Sequence, residues 1–236
     1  SFKHSLVEES DNDKEPFAFE KLRFKLNQGE KVAVVGQIGS GKTTLLNLLS
    51  GMLKADSGKI LVNGVDLDKI DKQSFREKIG YIQQEPVIFS ETIHTNIDFW
   101  RGNAEALVQS CARLAQFEGE VLAFPNGYSE PVGQRGVTLS GGQRQRLSIA
   151  RALVGRPQLL LMDDITASLD AANEKRLWED LAKEYGSITC LIVTHRMATA
   201  MMADRIIVLD EGRIAAIGTH DELMQTSAKY RELAHA

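Results

Sequence analysis

Gly36-Gln37-Ile38-Gly39-Ser40-Gly41-Lys42-Thr43 fits G-x-x-x-x-G-K-[ST] at every position. Glycines at this spacing let backbone N–H groups close around a phosphate. The lysine neutralises β and γ oxygens, the threonine hydroxyl ligates Mg2+, and the N-terminus of a following helix adds partial positive charge. Gly36, Gln37, Gly39, Ser40, Gly41, Lys42, Thr43 and Thr44 are therefore the candidate nucleotide-binding residues. Leu159-Leu160-Leu161-Met162-Asp163 is an apolar run ending on a carboxylate. Its expected chemistry is the second magnesium anchor of a phosphate-loop nucleoside triphosphatase, at the carboxyl end of a strand.

Such groups need rigid elements behind them. The short apolar run 31–35 reads as a buried strand entering the glycine-rich loop, and 42–50 as the helix leaving it. Alternation of apolar and polar residues over 17–26 predicts a half-buried strand, and 1–5 a short one. Further strands are expected at 59–62, 78–83, 158–162, 189–194, 205–209 and 213–217. Helices are expected at 143–154, where Gly155 and Pro157 stop the pattern, at 173–185 and at 220–234. No central strand is legible from about 85 to 155. The fold class is α/β: a phosphate-loop NTPase core with an N-terminal antiparallel β region and a helical sub-domain inserted at about 85–155.

At 236 residues, 43% hydrophobic and 25% charged, the chain has the apolar content for a core. Its net charge of −4 supplies no general field for nucleic acid, and no nucleic-acid partner is expected. Cys111 and Cys190 are too few for a disulfide framework and match no metal-ligand spacing. No apolar run approaches the ~18 residues of a membrane-spanning helix. Residue 1 is Ser rather than Met, which suggests an excised fragment or a processed chain.

Leu139-Ser140-Gly141-Gly142-Gln143-Arg144-Gln145-Arg146 reads first as a capping box, Ser140 with Gln143, opening a helix. Two glycines ahead of a helix also leave N–H groups for an anion. Here the sequence resembles the ATP-binding cassette family, whose signature is L-S-G-G-Q, and the family's other motifs follow in order over nearly the whole chain. The resemblance implies a single nucleotide-binding domain over 1–236, with ATP and Mg2+ as ligands. It implies that Ser140, Gly141, Gly142 and Gln143 close over a nucleotide held by a second cassette. Gln84, with Gln83 as its neighbouring alternative, would contact Mg2+ and the attacking water and sense a transmembrane partner. Asp170, in Ser168-Leu169-Asp170, would belong to the loop that reaches across the dimer, and His195 would be the switch histidine. Thr43, Gln84 and Asp163 are the implied metal ligands.

Within the family, 92–97, 133–140, 211–214 and 218–223 resemble nucleotide-binding domains of exporters, normally fused to a membrane domain. That implies work at the cytoplasmic face of a membrane. Gln134 stands where the family has a glutamate before the arginine. Asp164 stands where hydrolytic cassettes have the glutamate that handles the attacking water. Its reach is shorter by about 1 Å, and a misplacement of that size can cost about a hundredfold in rate. The pattern resembles the degenerate half of asymmetric exporters, so weak turnover and a partner cassette carrying the glutamate are expected. The adenine-stacking residue stays open among the stretch near Asp11, His4 and Phe2, with Phe17 and Phe19 read as core. Two further readings are a non-transport cassette ATPase and a nucleotide sensor without useful hydrolysis.

Overall fold

The computed structural model describes residues 2–3, 18–19, 21–133, 137–165, 171–186 and 188–235. They divide into two units, Ser1–Asn27, Lys31–Arg76 and Ile192–Ala236 against Gln28–Glu30 and Glu77–Leu191.

In the first unit, β1 (Phe2–Lys3) pairs antiparallel with β2 (Ala18–Phe19), Phe2 opposite Phe19. The apolar run becomes β3 (Lys31–Val35), with Val32 to Val35 buried, and leads through the glycine-rich loop into α1 (Lys42–Leu49). A small hairpin of β4 (Leu61–Val62) and β5 (Val65–Asp66) turns on Asn63 and Gly64, at φ 51° and 81°. Positive φ at both central residues matches the twist of paired strands, which is why Asn-Gly suits the turn. Helix α2 (Lys72–Arg76) closes this stretch.

The later part of that unit holds α8 (Met197–Ala200), β9 (Arg205–Asp210), β10 (Arg213–Gly218), α9 (His220–Thr226) and α10 (Ala228–His235). β3 runs parallel to β9 with Val35 opposite Val208, and β9 pairs antiparallel with β10 across a bulge between Ile214 and Ala216. Ala33, Val35, Ala200, Ile206, Val208, Leu223 and Tyr230 form a buried apolar cluster under these strands. Parallel strands covered on both faces need such continuous apolar runs.

The second unit contains β6 (Ile79–Ile82), α3 (Ile93–Asp98), α4 (Glu105–Leu114), α5 (Glu118–Ala123), α6 (Gly141–Val154), β7 (Leu159–Asp163) and α7 (Ala171–Tyr185). β6 and β7 are parallel, Ile79 opposite Leu159 and Ile82 opposite Met162. α6 packs against β6, α3 and α4. The backbones come close at Gly80, where a Cβ would stand 2.5 Å from Leu160 Cδ2 and 3.0 Å from the Ala152 carbonyl oxygen. Between 85 and 155 the described residues hold α3 to α6 and isolated bridges, with no strand. The remaining strand, β8 (Thr189–Val193), has residues in both units.

Several sequence expectations need correction. Of the strand expected at 17–26, the described residues form a strand only at β2. Residues 22–26 keep the alternation of half-buried and exposed positions without joining a ladder. Alternation reports which way side chains face; pairing also requires a neighbour, and Lys21 at φ 51° breaks the extended run. The helix expected at 143–154 starts at Gly141, because Ser140 caps it from one residue earlier. The single helix expected at 220–234 is two. Ser227 leaves the helix at φ −111° and ψ 110°, and its hydroxyl accepts from Tyr230 N at 3.2 Å, starting α10. Hairpin strand β5 and helices α2 and α8 are too short to carry a distinct pattern, and sequence periodicity does not predict them.

Candidate functional site

In the first unit, Val35 ends β3 and Gly36 begins the loop under close backbone contact: a Cβ on Gly36 would lie 2.1 Å from the Leu209 carbonyl oxygen. Gly39 and Gly41 adopt φ of 83° and 99°, and Gly41 is the N-cap of α1 with no side-chain cap bond. The first-turn N–H groups of a helix have no acceptor within it. A helix without a capping side chain therefore presents donors and the positive end of its dipole to an anion. Lys42 is 6% exposed, and its ammonium donates to the carbonyls of Gly36 at 2.8 Å and Gln37 at 2.7 Å and to Ser40 Oγ at 3.4 Å. A full positive charge is thus held on the loop by the loop's own carbonyls. Gln37, Gly39 and Thr43 are exposed and Thr44 is half-buried. Ile38, which the motif leaves unspecified, is 94% exposed at the rim.

Thr194 N donates to the Val34 carbonyl at 3.2 Å, tying the end of β8 to β3 just before the loop. The next residue, His195, is exposed, and Arg196 N donates back to Thr194 Oγ1 at 3.0 Å to turn the chain into α8. His195 and the glycine-rich loop therefore leave neighbouring strand ends of one unit.

In the second unit, parallel pairing of Ile82 with Met162 brings two more candidates to one sheet edge. Asp163 is buried beside Tyr81. Burial first, and the Asp163 charge second, push the Tyr81 phenol up to about 12. Asp164 is half-buried and sits at φ 46°, a left-handed conformation that Asp tolerates far better than most residues. At the other strand end, Gln84 and Gln83 are both exposed, and the Gln83 carbonyl accepts from Gln145 Nε2 at 3.3 Å. Helix α6 thus holds the start of the stretch that carries Gln83 and Gln84.

The start of α6 carries the expected capping box. Gln143 N donates to Ser140 Oγ at 3.2 Å and Ser140 N to Gln143 Oε1 at 2.8 Å. The N–H groups of Gly141 and Gly142 remain as first-turn donors on an exposed helix end. Arg146 of α6 pairs with Glu120 of α5, and Arg144 donates to the Leu139 carbonyl at 2.8 Å.

Sequence reasoning missed Arg151. From α6 its guanidinium donates to Asn96 O and Val87 O, both at 2.7 Å, and to Asn96 Oδ1 at 2.9 Å. It also lies over the rings of Phe89 and Phe99, at 5.2 and 5.6 Å. Phe89, Phe99 and Trp100 form a ring cluster with centroids 5.5–5.6 Å apart, largely exposed at Phe99 and Trp100. The aromatic run at 99–100 was the available signal. Asp170 with Ser168 and Leu169, Gln134, His4, Asp11, Phe17 and the side chain of Phe2 lie outside the described residues. Phe19 is buried, as expected of core.

Thr43 and Asp163 are oxygen donors of the kind Mg2+ prefers. The described residues contain no cluster of three or more His, Cys, Asp or Glu placed for a metal. Magnesium commonly takes one or two protein oxygens and completes its shell with water and phosphate, so a hydroxyl such as that of Thr43, or a carboxylate such as that of Asp163, each suits it.

Residues 19–167 match the family model described as ABC transporter. The chain belongs to the ABC transporter family. This ABC chain is 40% identical over 233 residues to the ABC transporter ATP-binding protein YfiB of Bacillus subtilis, covering 98% of the chain and 40% of that protein. It is 44% identical over 211 residues to the rat mitochondrial potassium channel ATP-binding subunit, 89% of the chain and 30% of that protein. Among solved structures it matches a bacterial Atm1-family ABC exporter with ATP bound, at TM-score 0.89 and 35% identity. That match covers 95% of the chain and 39% of the exporter. The chain therefore spans well under half the length of these relatives. No helix among its described residues is long and apolar enough to cross a membrane.

Proposed function

We propose that this chain is the nucleotide-binding domain, residues 1–236 with a helical sub-domain at about 85–155, of an exporter-type transporter. It binds MgATP through Gly36–Thr44, with Thr43, Gln84 and Asp163 as metal ligands. It pairs with a second cassette, whose nucleotide is covered by Ser140–Gln143 and approached by Asp170, and it drives a transmembrane domain at the cytoplasmic face of a membrane. The observation that carries the reading is the α1 N-terminus. A left-handed glycine N-cap leaves the first turn uncapped by any side chain, and a buried lysine charge sits on the same loop. Likeness to an exporter with ATP bound supports it.

Removing the charge tests it. Lys42→Ala should weaken ATP binding by at least about tenfold, the scale of losing hydrogen bonds to a charged group. Equal affinity in variant and parent would sink the reading.

The finer proposal concerns rate. Asp164, Gln84 and His195 are the groups expected around the attacking water, and Asp164 is the short member. Turnover at this chain's own site is therefore slow, and the partner is a non-identical cassette with a glutamate at this position. The reading is supported by Asp164 keeping the carboxylate with a shorter side chain, on a backbone at φ 46° that Asp tolerates. Asp164→Glu in the assembled transporter should raise turnover at this site. Brisk parental turnover with no gain from the change contradicts the slow-site reading. A sensor without hydrolysis is the second reading, favoured by the same residue, and it predicts no turnover at this site in any assembly.

A further inference from the structure

Tyr230 on α10 is fully buried, and its hydroxyl spends both its hydrogen-bonding functions on other elements of its unit. It donates to Met197 Sδ at 3.1 Å and meets His220 Nδ1 at 2.9 Å. A phenol has one proton, so both contacts are met together when His220 donates from Nδ1 and the Tyr230 proton points at the sulfur. The His220 and Tyr230 rings also meet edge to face, with centroids 5.7 Å apart. Sulfur is a weak acceptor and a poor reason to bury a hydroxyl. The contact is informative for where it lands: Met197 opens α8, two residues after His195. On its other side, the ring of Tyr230 belongs to the buried cluster with Val35, the residue before the glycine-rich loop, and with Ala200 at the end of α8.

We infer that Tyr230 is a positioning residue for the turn that carries His195, linking the C-terminal helices to the switch histidine and to the strand feeding the phosphate loop. His195 is held on one side by Thr194, tied to β3 through Val34, and on the other by α8. The four-residue α8 is too short to be stable on its own. Its start is fastened by the Met197–Tyr230 bond and by packing of Met197 on the buried cluster, and its end by packing of Ala200. Loss of the hydroxyl removes the directional bond at the start of α8 and leaves the packing at both ends. This inference rests on the proposed role of His195 in hydrolysis.

The test is Tyr230→Phe, which keeps the ring that the core requires, with Met197→Leu as an independent variant that removes the acceptor at similar volume. Single-turnover hydrolysis of ATP at this chain's own site, and ATP affinity, are measured in the transporter assembly. Both variants should slow hydrolysis by about two- to tenfold, the effect of one hydrogen bond, with affinity within about twofold. Leu223→Ala, from the same buried cluster but without a bond to Met197, should lower thermal stability more and leave the hydrolysis rate unchanged below its unfolding temperature. An unchanged rate in Tyr230→Phe and Met197→Leu overturns the inference. So does an equal slowing in Leu223→Ala, which would make Tyr230 mere core. Failure of the parent assembly to bind ATP would overturn the underlying reading instead, and this inference with it.

Discussion

Gly36 passes so close to Leu209 that the Cβ of any other residue would stand 2.1 Å from the Leu209 carbonyl oxygen. The first glycine of the phosphate loop is thus required by the neighbouring strand. Gly39 is required by backbone conformation alone: it sits at φ 83°, and a Cβ there would meet no described atom within 4 Å.

The two glycines should therefore fail differently. Gly36→Ala forces β3 and β9 apart and should cost about 3 kcal/mol or more, the upper range of overpacking. Gly39→Ala should cost about 1–2 kcal/mol, the penalty of a left-handed alanine. Urea denaturation of both variants gives the comparison, and equal losses would contradict it.

Ser140 serves the fold before it serves any ligand. Ser140→Ala removes the acceptor for Gln143 N and should cost about 1 kcal/mol in stability. Ser140→Asp keeps an acceptor and should hold stability near the parent. Its negative charge on the exposed helix end should nonetheless abolish MgATP-dependent pairing of cassettes, read by size-exclusion chromatography.

Arg151 holds the Val87–Asn96 stretch against α6 with a planar fork and lies over two rings. Lysine offers a single point charge in its place. Arg151→Lys should cost about 2–4 kcal/mol, in line with breaking a partly buried charged network. A melting temperature within about 1–2 °C of the parent, far below the expected fall of several degrees, would show that the network contributes little.

All four tyrosines, Tyr81, Tyr128, Tyr185 and Tyr230, have their phenols raised, burial being the first cause in each. Raised folded pKa values mean that the unfolded chain releases protons first. The stability that Tyr81 and Tyr128 contribute is complete below pH 10 and is lost as pH climbs from 10 through about 12. Tyr81→Phe should make the fall in stability above pH 10 shallower, as measured by denaturation at about pH 9, 10 and 11.

Local patterns are legible because their physics is local. The loop at 36–43, the capping box of Ser140 with Gln143 and the buried runs of β3 and β7 each depend on residues a few positions apart. The alternation at 17–26 misleads because facing direction is local but strand pairing is not. The break at Ser227 escapes the pattern for a related reason: the polar side chains of Thr226 and Ser227 turn onto the backbone, Thr226 Oγ1 bonding Glu222 O at 2.7 Å. Such competition with helix bonds leaves no mark on hydrophobic period.

The sequence by itself determined the phosphate loop, its lysine and hydroxyl, the buried aspartate strand and the cassette signature. Each is specified by residue type at fixed short spacing, where chain connectivity already enforces the geometry. Only the tertiary structure decided that Gly36 answers to Leu209, that Gln145 holds Gln83, that Arg151 clamps Asn96 and that Tyr230 reaches Met197. Those partners lie tens to more than a hundred residues apart. Their meeting is fixed by strand order and helix packing, whose cost and reward are shared across the whole core rather than written in any one segment.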